Sequence, residues 1–196
     1  MMWSMSTLRE RNRKAAYAEI RDTAIRLFMD QGFENTTIEQ IAAAVGMSPR
    51  TFFRYFATKE DIVVGDLVGL GKVALSALQA RPPQEGPWEA MVAALAALAD
   101  APETPPHALE TALLTTANPS LRARHIEKHV RWQELLVPEI ERRMGIEPGP
   151  VPDPRAHAIV GACLTCLDTA MEIWARRNGE GTLEEIYLEA FTAIRS

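Results

Sequence analysis

Apolar side chains recur at three- and four-residue spacing along nearly the whole chain, and no stretch shows strict two-residue alternation between turn signals. This periodicity restricts the chain to an all-α fold. Between about Ala15 and Gln31, the side chains of Ile20, Ala24, Leu27 and Phe28 fall on one helical face. Three short helices follow, each with its own start signal. Thr37 with Gln40 three residues on is a capping box, Ser48 before Pro49 supplies a cap and a first-turn proline, and Thr58 with Asp61 opens the next helix. That fourth helix is expected to run through Val64, Leu67 and Leu70 toward Leu78. A Pro- and Gly-bearing loop over 81–87 then interrupts the pattern, and further helices are predicted over about 88–100, 107–117, 119–144, 155–178 and 183–195, about nine in all.

The punctuation divides the chain into an N-terminal three-helix unit, residues 1–65, and a larger C-terminal helical bundle, residues 66–196. With 196 residues, 47% of them apolar, both units have material for a core. Two cysteines do not make a disulfide framework. No apolar run approaches the roughly 18–20 residues that span a bilayer, and the N-terminus lacks the apolar segment of a signal peptide. The expectation is a cytoplasmic protein without membrane contact.

A net charge of −5 argues at first against a polyanionic partner, but its distribution is uneven. Residues 1–65 carry nine basic and eight acidic side chains, whereas residues 66–196 carry twelve and eighteen. Within residues 46–59 stand Arg50, Arg54 and Lys59 and no acid at all. The same stretch contains a tight turn, Ala43 to Ser48, in which Gly46 supplies a positive φ between two short helices. Phe52 and Phe56 are one turn apart and face the core with Ile38, Ile41 and Ala42, leaving Arg50, Thr51, Arg54 and Tyr55 on the opposite side. Guanidinium forks and hydroxyls on one exposed helical stripe suit base edges and phosphate oxygens. A solvated polar stripe is the plainer reading, but it leaves the acid-free stretch and an exposed Phe53 without a purpose. The basic start, Arg9, Arg11, Arg13 and Lys14, reads either as a DNA-contacting arm or, more simply, as a frayed terminus.

Four ordered blocks in this segment carry a resemblance. Thr36-Thr37-Ile38-Glu39-Gln40-Ile41-Ala42, then Val45-Gly46-Met47-Ser48 and Thr51-Phe52-Phe53-Arg54-Tyr55-Phe56, followed by Lys59-Glu60-Asp61-Ile62, are similar to the N-terminal signature of the TetR/AcrR family of transcriptional regulators. The resemblance spans about residues 15–65. It implies a homodimeric, ligand-responsive regulator, most simply a repressor, whose helix-turn-helix binds palindromic double-stranded operator DNA and which a small effector releases. It also implies roles position by position: Thr37, Ser48, Tyr55 and Lys59 at phosphates, and Arg50, Thr51 and Arg54 toward bases. Phe53 stands where the family usually has a tyrosine, so a thymine methyl or sugar replaces a phosphate as its expected contact. An activator of the same fold is the alternative.

In the C-terminal part, Ile159, Ala170, Ile173, Tyr187, Phe191 and Ile194 mark wide apolar faces on the last two helices and are the expected dimer surface. Trp88, Met91, Leu95, Leu113, Trp132 and Leu136, with Cys163 and Cys166, are the large or soft residues expected to line a cavity for an apolar or amphipathic effector. Residue by residue, core packing is the plainer role. Cys163 and Cys166 have redox spacing but lie in an apolar helical pattern without a second pair, and His125 and His129, one turn apart, show no third ligand, so neither a metal nor a cofactor is expected. A carrier or enzyme using the C-terminal cavity lacks any Ser/His/Asp grouping, phosphate loop or paired carboxylates in an apolar setting.

Overall fold

The structure, a computed structural model, describes residues 3–65, 69–98, 107–147, 149–151 and 153–194, with side chains from residue 11 onward. Within these residues every regular element is a helix: α1 (Trp3–Gln31), α2 (Ile38–Ala44), α3 (Pro49–Phe52), α4 (Glu60–Val64), α5 (Gly69–Ala80), α6 (Pro87–Ala96), α7 (Ala108–Ala117), α8 (Pro119–Arg143), α9 (Pro154–Arg176) and α10 (Leu183–Ala193). Two boundaries differ from the sequence expectation. Helix α1 begins at Trp3, not near Ala15, because residues 3–14 hold no Gly or Pro and several strong helix formers. The basic start is therefore helical, with Arg11, Arg13 and Lys14 exposed on it.

The second difference lies at Gly65. Its φ of 75° and ψ of −161° occupy a region open essentially to glycine alone, and α4 ends there after five residues instead of continuing to Leu78. The next described helix, α5, begins at Gly69, so the described residues hold ten helical segments where about nine were expected.

Helices α1 to α4 close over a core of Ile20, Ile25, Phe28, Phe33, Ile41, Phe52, Phe56 and Ile62, to which α7 contributes Leu114 and α8 contributes Leu121. The two units thus share packing. Polar contacts reinforce the junction: Arg21 of α1 donates from Nε to the Ile62 carbonyl (3.1 Å) and from Nη2 to the Val63 carbonyl (3.4 Å) and the Thr111 hydroxyl of α7 (3.0 Å). Arg124 of α8 donates from Nε and Nη2 to Asp61 Oδ1 of α4, at 2.9 and 2.7 Å.

The second core gathers α5, α6, α8, α9 and α10 around Met91, Leu95, Trp132, Leu136, Val160, Cys163, Leu164 and Tyr187. Helix α5 approaches α8 closely at Gly71, where an added Cβ would fall 2.8 Å from the Trp132 ring. At its far end Arg143, fully buried along its side chain, donates to the carbonyls of Leu78 (2.6 Å), Arg81 (3.0 Å) and Pro82 (3.0 Å) and pairs with Glu139 at 3.1 Å. These bonds tie the end of α8 to the last turn of α5 and the loop that follows it.

Helix α9 corrects two further expectations. By length and mean hydropathy it does qualify as a bilayer-crossing helix, yet Ile159, Val160, Cys163, Leu164, Cys166, Leu167 and Ala170 are all buried against neighbouring helices. And of the expected dimer surface, Ile159, Ala170 and Tyr187 are consumed by this intrachain core, while Ile173 and Phe191 are half-buried against it. Only Ile194 stands clear, 53% exposed, joined on α10 by Leu188. Periodicity marked the apolar face correctly and could not say which neighbour would cover it.

Candidate nucleic-acid interface and ligand cavity

Local signals position the exposed face of the N-terminal unit. The Thr37 hydroxyl accepts from the Gln40 amide (3.2 Å) while Gln40 Oε1 accepts from the Thr37 amide (2.7 Å), starting α2 as a reciprocal cap. Gly46, at φ 68°, then reverses the chain. Ser48 Oγ accepts from the Thr51 amide at 3.1 Å, and the two hydroxyls lie 2.9 Å apart. Helix α3 is short, but helical bonding runs on: Arg54 and Tyr55 donate to the carbonyls three residues back, Thr51 and Phe52, at 3.1 and 2.8 Å, and Phe56 returns to Phe52 at 3.2 Å.

This tightened turn sorts the side chains. Phe52 and Phe56 are buried, with Phe56 stacked on Tyr17 of α1 at 4.3 Å between ring centroids. Arg50 and Arg54 are exposed, and neither forms an ion pair among the described residues. Phe53 is 53% exposed, its ring edge-on to Phe52. Thr37 and Ser48 are exposed at the two helix starts, and Thr51 and Tyr55 are half-buried at the border with the core. The outcome is a surface with two unpaired guanidinium groups, an aromatic ring and hydroxyls, facing away from the core.

Lys59 has a role that the spacing did not reveal. Its Nζ donates to the carbonyls of Phe33 (2.7 Å) and Thr36 (3.2 Å) and sits 4.3 Å from the centroid of the Phe33 ring. Two of its three donors thus hold the loop after α1. Thr58 and Asp61 do cap α4 as expected: the Thr58 amide reaches Asp61 Oδ2 at 3.0 Å and the Asp61 amide reaches the Thr58 hydroxyl at 3.2 Å.

A cavity of about 130 Å³ lies where the two units meet, walled by Arg21, Val63 and Val64 from the first and by Leu95, Lys128, Trp132, Leu167, Met171, Trp174 and Tyr187 from the second. Of the residues expected to line a cavity, Leu95 and Trp132 do so. Met91, Leu136, Cys163 and Cys166 are core instead, Trp88 packs beside Phe191, and Leu113 is half-buried away from the wall, because an apolar face fills with neighbouring helices before it leaves space. Burial pushes the Cys163 thiol up to about 12, which makes it inert rather than redox-active. Lys128 is missed by apolar pattern reading, since a lysine in a polar-looking helix gives no sign that it points inward.

His125 and His129 do acquire a third partner. Asp168 of α9 accepts from His125 Nε2 at 2.7 Å and lies 3.0 Å from His129 Nδ1, forty-three residues of sequence separating the first pair. Burial would raise the Asp168 carboxyl, but the two imidazoles hold it well below its usual range, while burial lowers His125. These three groups have the composition of a metal-ligand set. A ligating histidine normally donates its second nitrogen to an acceptor, however, and the buried His129 Nε2 has none among the described residues. The cluster is a hydrogen-bonded carboxylate clasp between α8 and α9.

Comparison with known proteins places this arrangement. Residues 20–64 match the model for bacterial regulatory proteins of the tetR family, and residues 85–196 match the MftR C-terminal domain. The chain is 31% identical over 175 residues to the putative mycofactocin biosynthesis transcriptional regulator MftR of Mycobacterium tuberculosis, covering 85% of this chain and 83% of that protein. It is 42% identical over 91 residues to the HTH-type transcriptional regulator TcmR of Streptomyces glaucescens, 46% of this chain but only 40% of the relative's length. Among solved structures, FadR of Thermus thermophilus in complex with lauroyl-CoA superposes with a TM-score of 0.55 at 20% identity, covering 91% of this chain and 93% of that one. FadR of Bacillus subtilis in complex with stearoyl-CoA gives 0.59 at 16%, covering 92% and 98%. At such identities the structures speak for the fold, and the sequence matches carry the rest: the chain belongs to the TetR family of bacterial transcriptional regulators.

Proposed function

We propose that this regulator binds palindromic operator DNA as a homodimer and acts as a repressor that a small apolar or amphipathic effector releases. Residues 1–65 form the DNA-binding unit in this reading and residues 66–196 the effector-binding and dimerisation unit. The observation that carries it is the pair of unpaired, exposed guanidinium groups of Arg50 and Arg54 on the helix after the Gly46 turn, within a stretch free of acids. Arg50, Thr51 and Arg54 reach base edges in the major groove; Thr37, Ser48 and Tyr55 hold phosphates; Phe53 packs on a thymine methyl or sugar. Lys59 adds its charge and its remaining donor, its main work being the loop it anchors. Two copies meet through the exposed sides of α9 and α10, where Leu188 and Ile194 lie open.

The effector reading draws on the cavity, whose walls come from both units, so that a ligand inside touches α1 and α4 as well as the bundle. The two FadR structures hold lauroyl-CoA and stearoyl-CoA, which is consistent with a family that senses amphipathic molecules. An effector that prefers the arrangement with wrongly spaced recognition helices weakens DNA binding by its differential affinity. A gel-shift titration against the intergenic DNA upstream of the chain's own gene tests the reading. Arg50→Ala with Arg54→Ala should lower specific affinity by about 2–6 kcal/mol together, at about 1–3 kcal/mol per specific base contact. A folded dimer that gives no sequence-specific shift at low salt rejects it.

A further inference from the structure

We propose that the cavity between the two units takes a compact monoanionic carboxylate with an apolar body, its carboxylate held by Lys128. This deepens the effector reading above and rests on it for the regulatory consequence, though not for the binding chemistry.

Three observations lead there. Lys128 is 8% exposed, lines the cavity and sits with its Nζ 5.0 Å from the centroid of the Trp132 ring. No carboxylate lies within ion-pair distance of it and no acceptor hydrogen-bonds to it among the described residues, although the charge of Asp168 acts on it from farther off. Both oxygens of Asp168 are occupied by His125 and His129, and the Glu184 carboxylate at the cavity rim is exposed to solvent. A buried ammonium without a hydrogen-bonded anion is costly, and a ligand carboxylate removes that cost. Burial lowers Lys128 to about 8, so it still carries a proton at neutral pH.

The rest of the wall fixes the body and the charge of the ligand. Apart from Lys128 itself, Arg21, Thr111, Glu184, the Tyr187 hydroxyl and the Met171 thioether, the lining is hydrocarbon and indole. A volume near 130 Å³ matches one aromatic ring or a short alkyl chain, given that a cavity of about 150 Å³ holds benzene. A phosphate would need several converging donors. Arg21, the other cation in the wall, already spends its Nε and Nη2 on Ile62, Val63 and Thr111, whereas the Lys128 ammonium has no hydrogen bond among the described residues. Those same Arg21 bonds tie the cavity to the end of α4, so an occupant bears directly on the helix-turn-helix.

Titration calorimetry on the full chain tests this with phenylacetate and hexanoate against their neutral amides, phenylacetamide and hexanamide. At least one acid should bind saturably and at least about tenfold more tightly than its amide, the worth of one charge-assisted hydrogen bond. Lys128→Met, with helical content checked by circular dichroism, should abolish that preference and keep amide binding. Equal binding of acid and amide to the wild-type chain overturns the proposal even where the variant fails to fold, as does failure of both acids to bind, or a preference that survives in K128M. A Lys128-dependent acid that leaves the operator complex intact in a gel shift upholds the ligand chemistry and rejects the effector reading instead.

Discussion

Single side chains in this protein carry more than one duty, and Lys128 shows the energetic side of that. Desolvation lowers its pKa from 10.5 to about 8, opposed in part by the charge of Asp168. In the unfolded chain the group keeps its proton to higher pH, so the unfolded state binds more protons between those two values and stability rises with pH there. The penalty for the buried ammonium is fully present below about pH 8 and relieved as pH climbs toward 10.5. Denaturant unfolding of wild type and Lys128→Met should therefore show the variant's relative advantage shrinking by up to about 3 kcal/mol between pH 7.5 and 10.5, at about 1.4 kcal/mol per unit. A difference that is flat in pH would contradict the burial. Lys59 makes the complementary point. The family resemblance implied a phosphate ligand there, and the fold spends two of its donors on the Phe33 and Thr36 carbonyls.

At the scale of elements, what the sequence disclosed follows the range of the forces involved. Caps at Thr37, Ser48 and Thr58 were legible because their hydrogen bonds reach only three residues, and all three are present. The inward placement of Phe52 and Phe56 followed from period alone. The break at Gly65 did not, since a glycine inside an apolar helical pattern is tolerated as often as it stops the helix. The partners of α9 did not either: an apolar face is visible in one dimension, its neighbour only in three. Gly65→Ala tests how firmly the break is built. With φ 75° and ψ −161°, alanine costs about 1–3 kcal/mol there, and the melting temperature should drop by several degrees. An unchanged or raised melting temperature would mean that α4 and α5 join into one helix without penalty.

Across the whole molecule, the two units are less separable than the sequence boundary near residue 65 suggests. Leu114 and Leu121 belong by chain position to the sensor part and by packing to the core beneath the helix-turn-helix. A fragment of residues 1–65 should accordingly melt without a sharp transition when followed by circular dichroism, while the full chain melts cooperatively; a fragment with a two-state melt would show that the small core suffices alone.

Asp61 compresses this into one carboxylate, Oδ2 accepting from the Thr58 amide that starts α4 and Oδ1 accepting from Arg124 on α8. Regulators of this architecture look like interchangeable modules, to be cut at the linker and rejoined as hybrids with new inputs. Here a graft that keeps residues 1–65 and replaces everything after them would strand Asp61 without its guanidinium and leave two leucine-shaped vacancies. Successful hybrids of this chain must carry Leu114, Leu121 and Arg124 across with the reading head.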